Sequence, residues 1–308
     1  MCPFCFYFCM QIMLKTDMEN KKSLVGAWVE AARPRTLPAS VSPVLLGCAL
    51  AYYDGVFDVV PAVLCLLVAL FAQIASNFAN DYFDFKKGAD REDRLGPERA
   101  VAEGWITPKA MLVGTFVTLG LACAAGLLLV CFADWRLIGV GIAIAICVLA
   151  YSAGPFPLAY NGLGDVCVLL FYGVIPVCFT YYIQTLNFSL LSFLLSVALG
   201  LLSVNILIVN NYRDYEQDKA ARKRTTIVLF GAGRVFYVLN ECMAFLLVLP
   251  LILDAPWWIL FLFGILFALC FYTTRELFTL EGRALNRTLG HTARNVFLFA
   301  SVLSLLFL

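Results

Sequence analysis

The stretch Val166–Tyr212, VCVLLFYGVIPVCFTYYIQTLNFSLLSFLLSVALGLLSVNILIVNNY, runs for 47 residues without an acid, a lysine, an arginine or a histidine. A bilayer core is spanned by roughly 20 mostly apolar residues in a helix, so this run is too long for one crossing. It must fold back on itself, and the turn is expected near its central polar interval, Gln184–Ser189. Two spans follow from this one stretch. Working outward, further runs are Thr36–Tyr53, Val59–Asn80, Ala110–Ala133, Leu137–Gly164, Val235–Leu253 with one acid, Glu241, and Ala255–Thr274. A last run, Leu289–Leu308, carries His291 and Arg294 near its start, where they can snorkel to the interface.

The count is nine. Composition agrees: 62% of the 308 residues are hydrophobic and 14% are charged, against about 25% charged in soluble domains. Backbone groups in lipid need internal partners, and these runs are too long and too uniformly apolar for barrel strands. The expectation is an all-α, polytopic membrane bundle of nine transmembrane helices around a central cavity, in a single domain over residues 18–308. With a cytoplasmic N-terminus, only Arg136 of the 22 basic residues falls on the outer side, as the positive-inside rule requires.

The first seventeen residues, MCPFCFYFCMQIMLKTD, lack a basic n-region and a small-residue cleavage site, and are read as an over-called start or a loose extension. Twelve cysteines are scattered along the chain, and buried cysteine behaves as a small hydrophobe. The Cys2–Cys5 pair with one distant histidine, His291, does not make a zinc site. A net charge of +1 gives no footprint for nucleic acid, and no protein partner is inferred.

Polar sequence gathers in 81–109, 213–234 and 275–294, all on the inner side, so chemistry is expected at that face. Two of these segments echo each other. The second span ends in NFANDYFD (Asn77–Asp84) and the sixth in NNYRDYEQD (Asn210–Asp218). On a helix, Asn77, Asp81 and Asp84 fall within an arc of about 60°, and Asn210, Asp214 and Asp218 drift by about 80°. Each set makes an oxygen stripe. An acid within a span costs roughly 2.5–3.5 kcal/mol on insertion scales, so several together call for a partner. Hard oxygen donors suit Mg²⁺, which binds through one or two carboxylates together with substrate phosphates. Acids in solvated loops also pair with neighbouring bases for no further reason. Two such clusters on one face, flanked by Lys86, Lys87, Arg91, Arg94, Arg99, Lys219, Arg222, Lys223 and Arg224, favour a metal–diphosphate site instead.

An anionic head at the membrane surface with a tail in lipid describes a polyprenyl diphosphate. Loss of diphosphate would leave an allylic cation needing a dry, aromatic-lined cavity. Tyr82, Tyr151, Tyr160, Tyr172 and Tyr212 are available at suitable depths, though most aromatics in such a chain are packing.

Several segments resemble the UbiA superfamily of intramembrane prenyltransferases, and within it the 1,4-dihydroxy-2-naphthoate polyprenyltransferase (MenA) branch. They are ARPRTLPASVSPVLLG (Ala32–Gly47), NDYFDFKKGADRED (Asn80–Asp93), RLGPERAV (Arg94–Val101), YSAGPFPLAYNGLGD (Tyr151–Asp165), NNYRDYEQDKAARKRTT (Asn210–Thr226) and LNRTLGHTAR (Leu285–Arg294). The resemblance implies Mg²⁺-dependent transfer of a polyprenyl chain to dihydroxynaphthoate with loss of the ring carboxylate, giving demethylmenaquinone. It also implies a multi-pass protein of the bacterial cytoplasmic (inner) membrane with its active site facing the cytoplasm. Carried over by position, Asn77, Asp81 and Asp84 match one metal motif and Asn210, Asp214 and Asp218 the other, with the four aspartates as catalytic groups. Gly88 stands where the wider superfamily often has another aspartate, which leaves the role of Asp90 open.

Lys219, Lys223, Arg224, Arg94 and Arg99 are candidates for diphosphate oxygens, or are ordinary positive-inside charge. Arg33, Arg35 and Tyr151 are candidates for the aromatic acceptor. Gly154-Pro155 and Gly162-x-Gly164 are read as turn-shaping, and His291 is given no catalytic role. Two other readings stay open: a UbiA-type enzyme for another acceptor, such as 4-hydroxybenzoate or homogentisate, and an ion-coupled transporter using intramembrane acids.

Overall fold

The computed structural model describes residues 23–88 and 94–308. The readings of residues 1–17 and of Asp90 and Arg91 lie outside the described residues. Every regular element described is helical. In chain order these are α1 (Leu24–Ala32), α2 (Leu37–Tyr53), α3 (Val59–Lys86), α4 (Pro108–Leu129), α5 (Leu137–Ala150), α6 (Gly164–Thr185), α7 (Leu190–Arg213), α8 (Tyr215–Ala220), α9 (Thr226–Phe230), α10 (Gly233–Leu253), α11 (Trp257–Thr279) and α12 (Leu285–Ser304).

Among the described residues, eight helical stretches are long and apolar enough to cross a membrane, α1 and α2 together making the first. The ninth apolar run is shorter than its sequence suggests. Residues 137–164 were expected to span, but α5 stops at Ala150, about 21 Å at 1.5 Å per residue. Gly154 and Gly162 take φ of +87° and +77°, and Pro155 and Pro157 lie between them, so the helix cannot continue. The 47-residue uncharged run folds as its length demands. α6 ends at Thr185, and Ser189 caps α7 by accepting from the Ser192 amide.

α2 packs against α3, α6, α7 and α12, so the first and last spans meet and the bundle closes. The main core lies among α2, α6, α7, α10, α11 and α12, around Leu46, Leu199, Phe263, Phe299 and Leu303. Small residues set the closest approach, as is usual where helices pack in lipid. A Cβ on Gly173 would stand 2.5 Å from the Cα of Gly200, so α6 and α7 touch backbone to backbone. A π-helical turn at Leu170–Val174 widens α6 at this point. On α12, His291 and Arg287 are paired with Glu276, at 2.7 and 3.0 Å, and Arg294 donates to the Asn295 carboxamide at 3.0 Å.

Candidate active site

The two acidic segments terminate α3 and α7, and the tertiary fold brings them to one end of a cavity of about 990 Å³. The body of that cavity is apolar, lined by Val68, Ala69, Ile144 and Phe179 among others. Val44, Cys65, Leu129, Leu137 and Ile183 close its far end. The polar mouth carries Arg33, Arg35, Asn77, Asn80, Asp84, Arg94, Arg99, Asn210, Asn211 and Lys223.

Asp84 is the centre of the mouth. Its Oδ2 accepts from Arg99 Nη2 at 3.1 Å, and its Oδ1 accepts from the Tyr160 hydroxyl at 2.8 Å. Lys87 and Lys223 place their ammonium groups 4.3 and 5.5 Å from the centre of the Tyr160 ring. Such cations are held by the negative ring face. Lys223 also pairs with Asp218 at 3.3 Å. Asp84 of the first segment and Asp218 of the second are thus joined through Tyr160 and Lys223. Burial pushes the Asp218 carboxyl above its ordinary range, opposed by the Lys223 ammonium and reinforced by Asp214 and Asp84. Burial also lowers Lys87, against the pull of Asp84. Tyr151, at the inner wall, is raised by burial and by neighbouring tyrosine, cysteine and carboxylates.

Not every expected ligand faces the cavity. Asp81 is buried, and its two oxygens accept the backbone amides of Ala100 and Val101, at 3.1 and 3.3 Å. It fastens the 94–101 strap to α3. Asn77 lines the mouth while its amide donates to the Ala32 carbonyl at 2.9 Å, holding the end of α1. The second oxygen stripe is not on one straight helix. α7 ends at Arg213, and Asp214 (φ −94°, ψ 15°) separates it from α8. There the Asp214 carboxylate is forked by Arg213 at 2.7 and 2.6 Å.

Of the basic candidates, Arg94, Arg99, Lys223, Arg33 and Arg35 all line the mouth. Lys219 is exposed and sits 5.8 Å from the Tyr215 ring. Arg224 is exposed, and its backbone amide donates to the Tyr160 carbonyl at 2.9 Å. Tyr151 lines the cavity.

Tyr160, Asn80 and Asn211 reach the site without having been singled out by spacing. Asn80 accepts from the Ser152 hydroxyl. The Asn211 amide oxygen is buried without a hydrogen-bond partner, as is Oδ2 of Asp218. Tyr160 lies 76 positions from Asp84, beyond any helical period. The sequence offers it only as one of five tyrosines at a suitable depth, within the Gly- and Pro-rich connection that ends α5.

The donor set suits a hard divalent cation. Asp84 and Asn211, the latter with an orphaned side-chain oxygen, line the cavity with the carboxamides of Asn77, Asn80 and Asn210. Asp218, with its own orphaned oxygen, lies behind the lining and is tied to it through Lys223, and no histidine lines the cavity. No group of three or more acidic, histidine or cysteine residues among those described could hold an ion by itself. That pattern fits Mg²⁺, which takes one or two carboxylates and completes its shell with water and substrate phosphate.

The family model described as the UbiA prenyltransferase family matches residues 40–306. The 1,4-dihydroxy-2-naphthoate octaprenyltransferase of Haemophilus influenzae is 38% identical over 235 residues, covering 73% of this chain and 76% of that protein. The Escherichia coli protein of the same name is 38% identical over 221 residues, covering 69% and 71%. Among solved structures, a UbiA homolog from Archaeoglobus fulgidus bound to DMAPP and Mg²⁺ superposes with a TM-score of 0.60 at 18% identity, over 88% of this chain and 98% of that one. That last likeness is one of fold.

Proposed function

The chain belongs to the UbiA prenyltransferase family, and on that premise we propose that it transfers a polyprenyl group from polyprenyl diphosphate to 1,4-dihydroxy-2-naphthoate. The ring carboxylate leaves as carbon dioxide and the product is demethylmenaquinone. The observation that carries this reading is the joining of Asp84 and Asp218 through Tyr160 and Lys223 at the mouth of a long apolar cavity. Such an arrangement suits a diphosphate head group at the mouth with its hydrocarbon tail in the apolar body.

Asp84 and Asp218, with the Asn80, Asn210 and Asn211 carboxamides, would hold Mg²⁺. Bound there, the metal supplies Lewis-acid stabilisation of the departing diphosphate. Lys223, Arg94 and Arg99 supply positive charge for the diphosphate oxygens at the mouth. Asp81 contributes by seating the strap that carries Arg94 and Arg99, and Asp214 by its place beside Asn210. Arg33 and Arg35, also in the lining, offer guanidinium groups to the carboxylate of the acceptor. Tyr151, Tyr172 and Phe171 face the chamber where allylic positive charge develops, and their ring faces attract it. The Tyr172 hydroxyl donates to the Gln73 side-chain oxygen, which anchors this residue at the chamber wall. The apolar body keeps water from quenching the cation.

The gathering of basic residues around the mouth supports a site facing the cytoplasm from a bacterial inner membrane, as the positive-inside rule would have it. The test is a purified-protein assay with a prenyl diphosphate, carboxyl-labelled dihydroxynaphthoate and Mg²⁺. Label should leave as carbon dioxide in step with diphosphate release, and EDTA should abolish both. Equal turnover of 4-hydroxybenzoate, or full activity in EDTA, would overturn the reading.

A further inference from the structure

Arg213 is the one guanidinium at the inner face whose side chain is wholly shielded, at 0% exposure, among the ion pairs described there. A guanidinium offers five donors in a planar fork. Four contacts use it here. Nε and Nη2 fork the Asp214 carboxylate at 2.7 and 2.6 Å. Nη2 also donates to Asn210 Oδ1 at 2.8 Å, and Nη1 donates to Asn286 Oδ1 at 2.6 Å. Asn286 in turn donates to the Leu95 carbonyl at 2.9 Å. The next residue, Gly96, lies so close that a Cβ there would meet Nη2 at 2.7 Å and Cζ at 3.2 Å.

The strap that Arg213 reaches by this route is the one fastened at its other end to the first acidic segment. Arg99 pairs with Asp84, and the amides of Ala100 and Val101 cap Asp81. Residues 94–101 therefore lace the two acidic segments together, and Arg213 with Asn286 closes the lace. Arg213 itself does not line the cavity, whereas Asn210, Asn286 and Gly96 do. Any influence it has on substrate passes through them.

We propose that Arg213 is a positioning residue for the metal–diphosphate site, a clasp that fixes the Asn210 and Asp214 side chains and locks the strap onto the second acidic segment. This rests on the function proposed above. The need for such a clasp is local. The helix breaks at Asp214, so the side chains there lose the neighbouring turn that would otherwise set their rotamers. A buried ion pair is weak evidence for net stability, and geometric specificity is the better-attested return for its desolvation cost. Lysine keeps the charge but cannot fork a carboxylate and reach two carboxamides at once.

The test uses the full-length protein in detergent and three variants: Arg213→Lys, Asn286→Ala and Asp84→Asn. Mn²⁺ affinity is read by electron paramagnetic resonance with inorganic diphosphate present, and Mg²⁺ dependence is read in the prenyl-transfer assay. Loss of an outer partner typically weakens metal binding 10–100-fold. Arg213→Lys is expected to weaken Mn²⁺ binding and raise the Mg²⁺ requirement by about that factor, with the KM for the aromatic acceptor unchanged. Asn286→Ala should shift both in the same direction by less, and it decides the matter if Arg213→Lys does not fold. Wild-type Mn²⁺ binding in both clasp variants, with weakened binding in Asp84→Asn, overturns the clasp and leaves the site standing. Wild-type binding in Asp84→Asn overturns the metal site, and the clasp with it.

Discussion

The hydroxyl of Tyr160 donates to Asp84 Oδ1 over 2.8 Å, and this bond fastens the connection after α5 to the acid at the end of α3. The Lys87 and Lys223 ammonium groups lie 4.3 and 5.5 Å from the centre of its ring. A hydrogen bond to a charged group contributes about 1.5–3 kcal/mol. Tyr160→Phe keeps the ring and loses the bond, so prenyl transfer should fall by about one to two orders of magnitude. Tyr160→Leu should fall further, because both cation–π contacts go as well. Steady-state rates at saturating Mg²⁺ would separate the two.

Asp81 and Asp84 should behave differently when replaced. Asp84→Asn removes the charge at the mouth and should cost at least about 100-fold in turnover while the protein still folds. Asp81→Ala leaves the amides of Ala100 and Val101 buried without an acceptor, at about 1–3 kcal/mol each. A lowered unfolding temperature in detergent and faster proteolysis within 94–101 are the expected signs.

Gly173→Val should be among the most destabilising single changes in the bundle. Its side chain would enter the backbone of α7 at Gly200, and overpacking of this kind costs about 1–3 kcal/mol or more. Thermal unfolding of the purified protein measures it. Gly264, where a Cβ meets nothing within 4 Å, is the matched control and should tolerate alanine.

Gly141 lines the cavity on α5, and a Cβ there has no neighbour within 4 Å. Gly141→Phe should therefore narrow the apolar chamber. We expect kcat/KM for long-chain prenyl diphosphates to fall by about tenfold or more, with dimethylallyl diphosphate little affected. One buried methylene is already worth about 0.8 kcal/mol. An equal loss for both donors would place Gly141 outside the tail path.

The sequence by itself determined that this chain is a membrane bundle and where its long uncharged run turns, but not that α5 stops at Ala150. Insertion into lipid depends on local composition, so an uncharged 47-residue run can be divided without knowing what it packs against. It also placed Asn77–Asp84 and Asn210–Asp218 at the ends of α3 and α7, because acids are tolerated there and costly at mid-span. Helical period could say which residues share a face, but not which face meets the cavity. That was decided by partners distant in sequence. Asp84 meets Tyr160, whereas Asp81 is claimed by the amides of Ala100 and Val101. Asp214 is turned to Arg213 at a helix break that its acidic spacing did not announce. Asn286, near the C-terminus, closes the same end of the molecule by binding Leu95. Hydrophobicity is a property of a segment, and segments can be read in order. The direction of a buried carboxylate is settled by the donors that surround it, and only the folded chain brings those donors together.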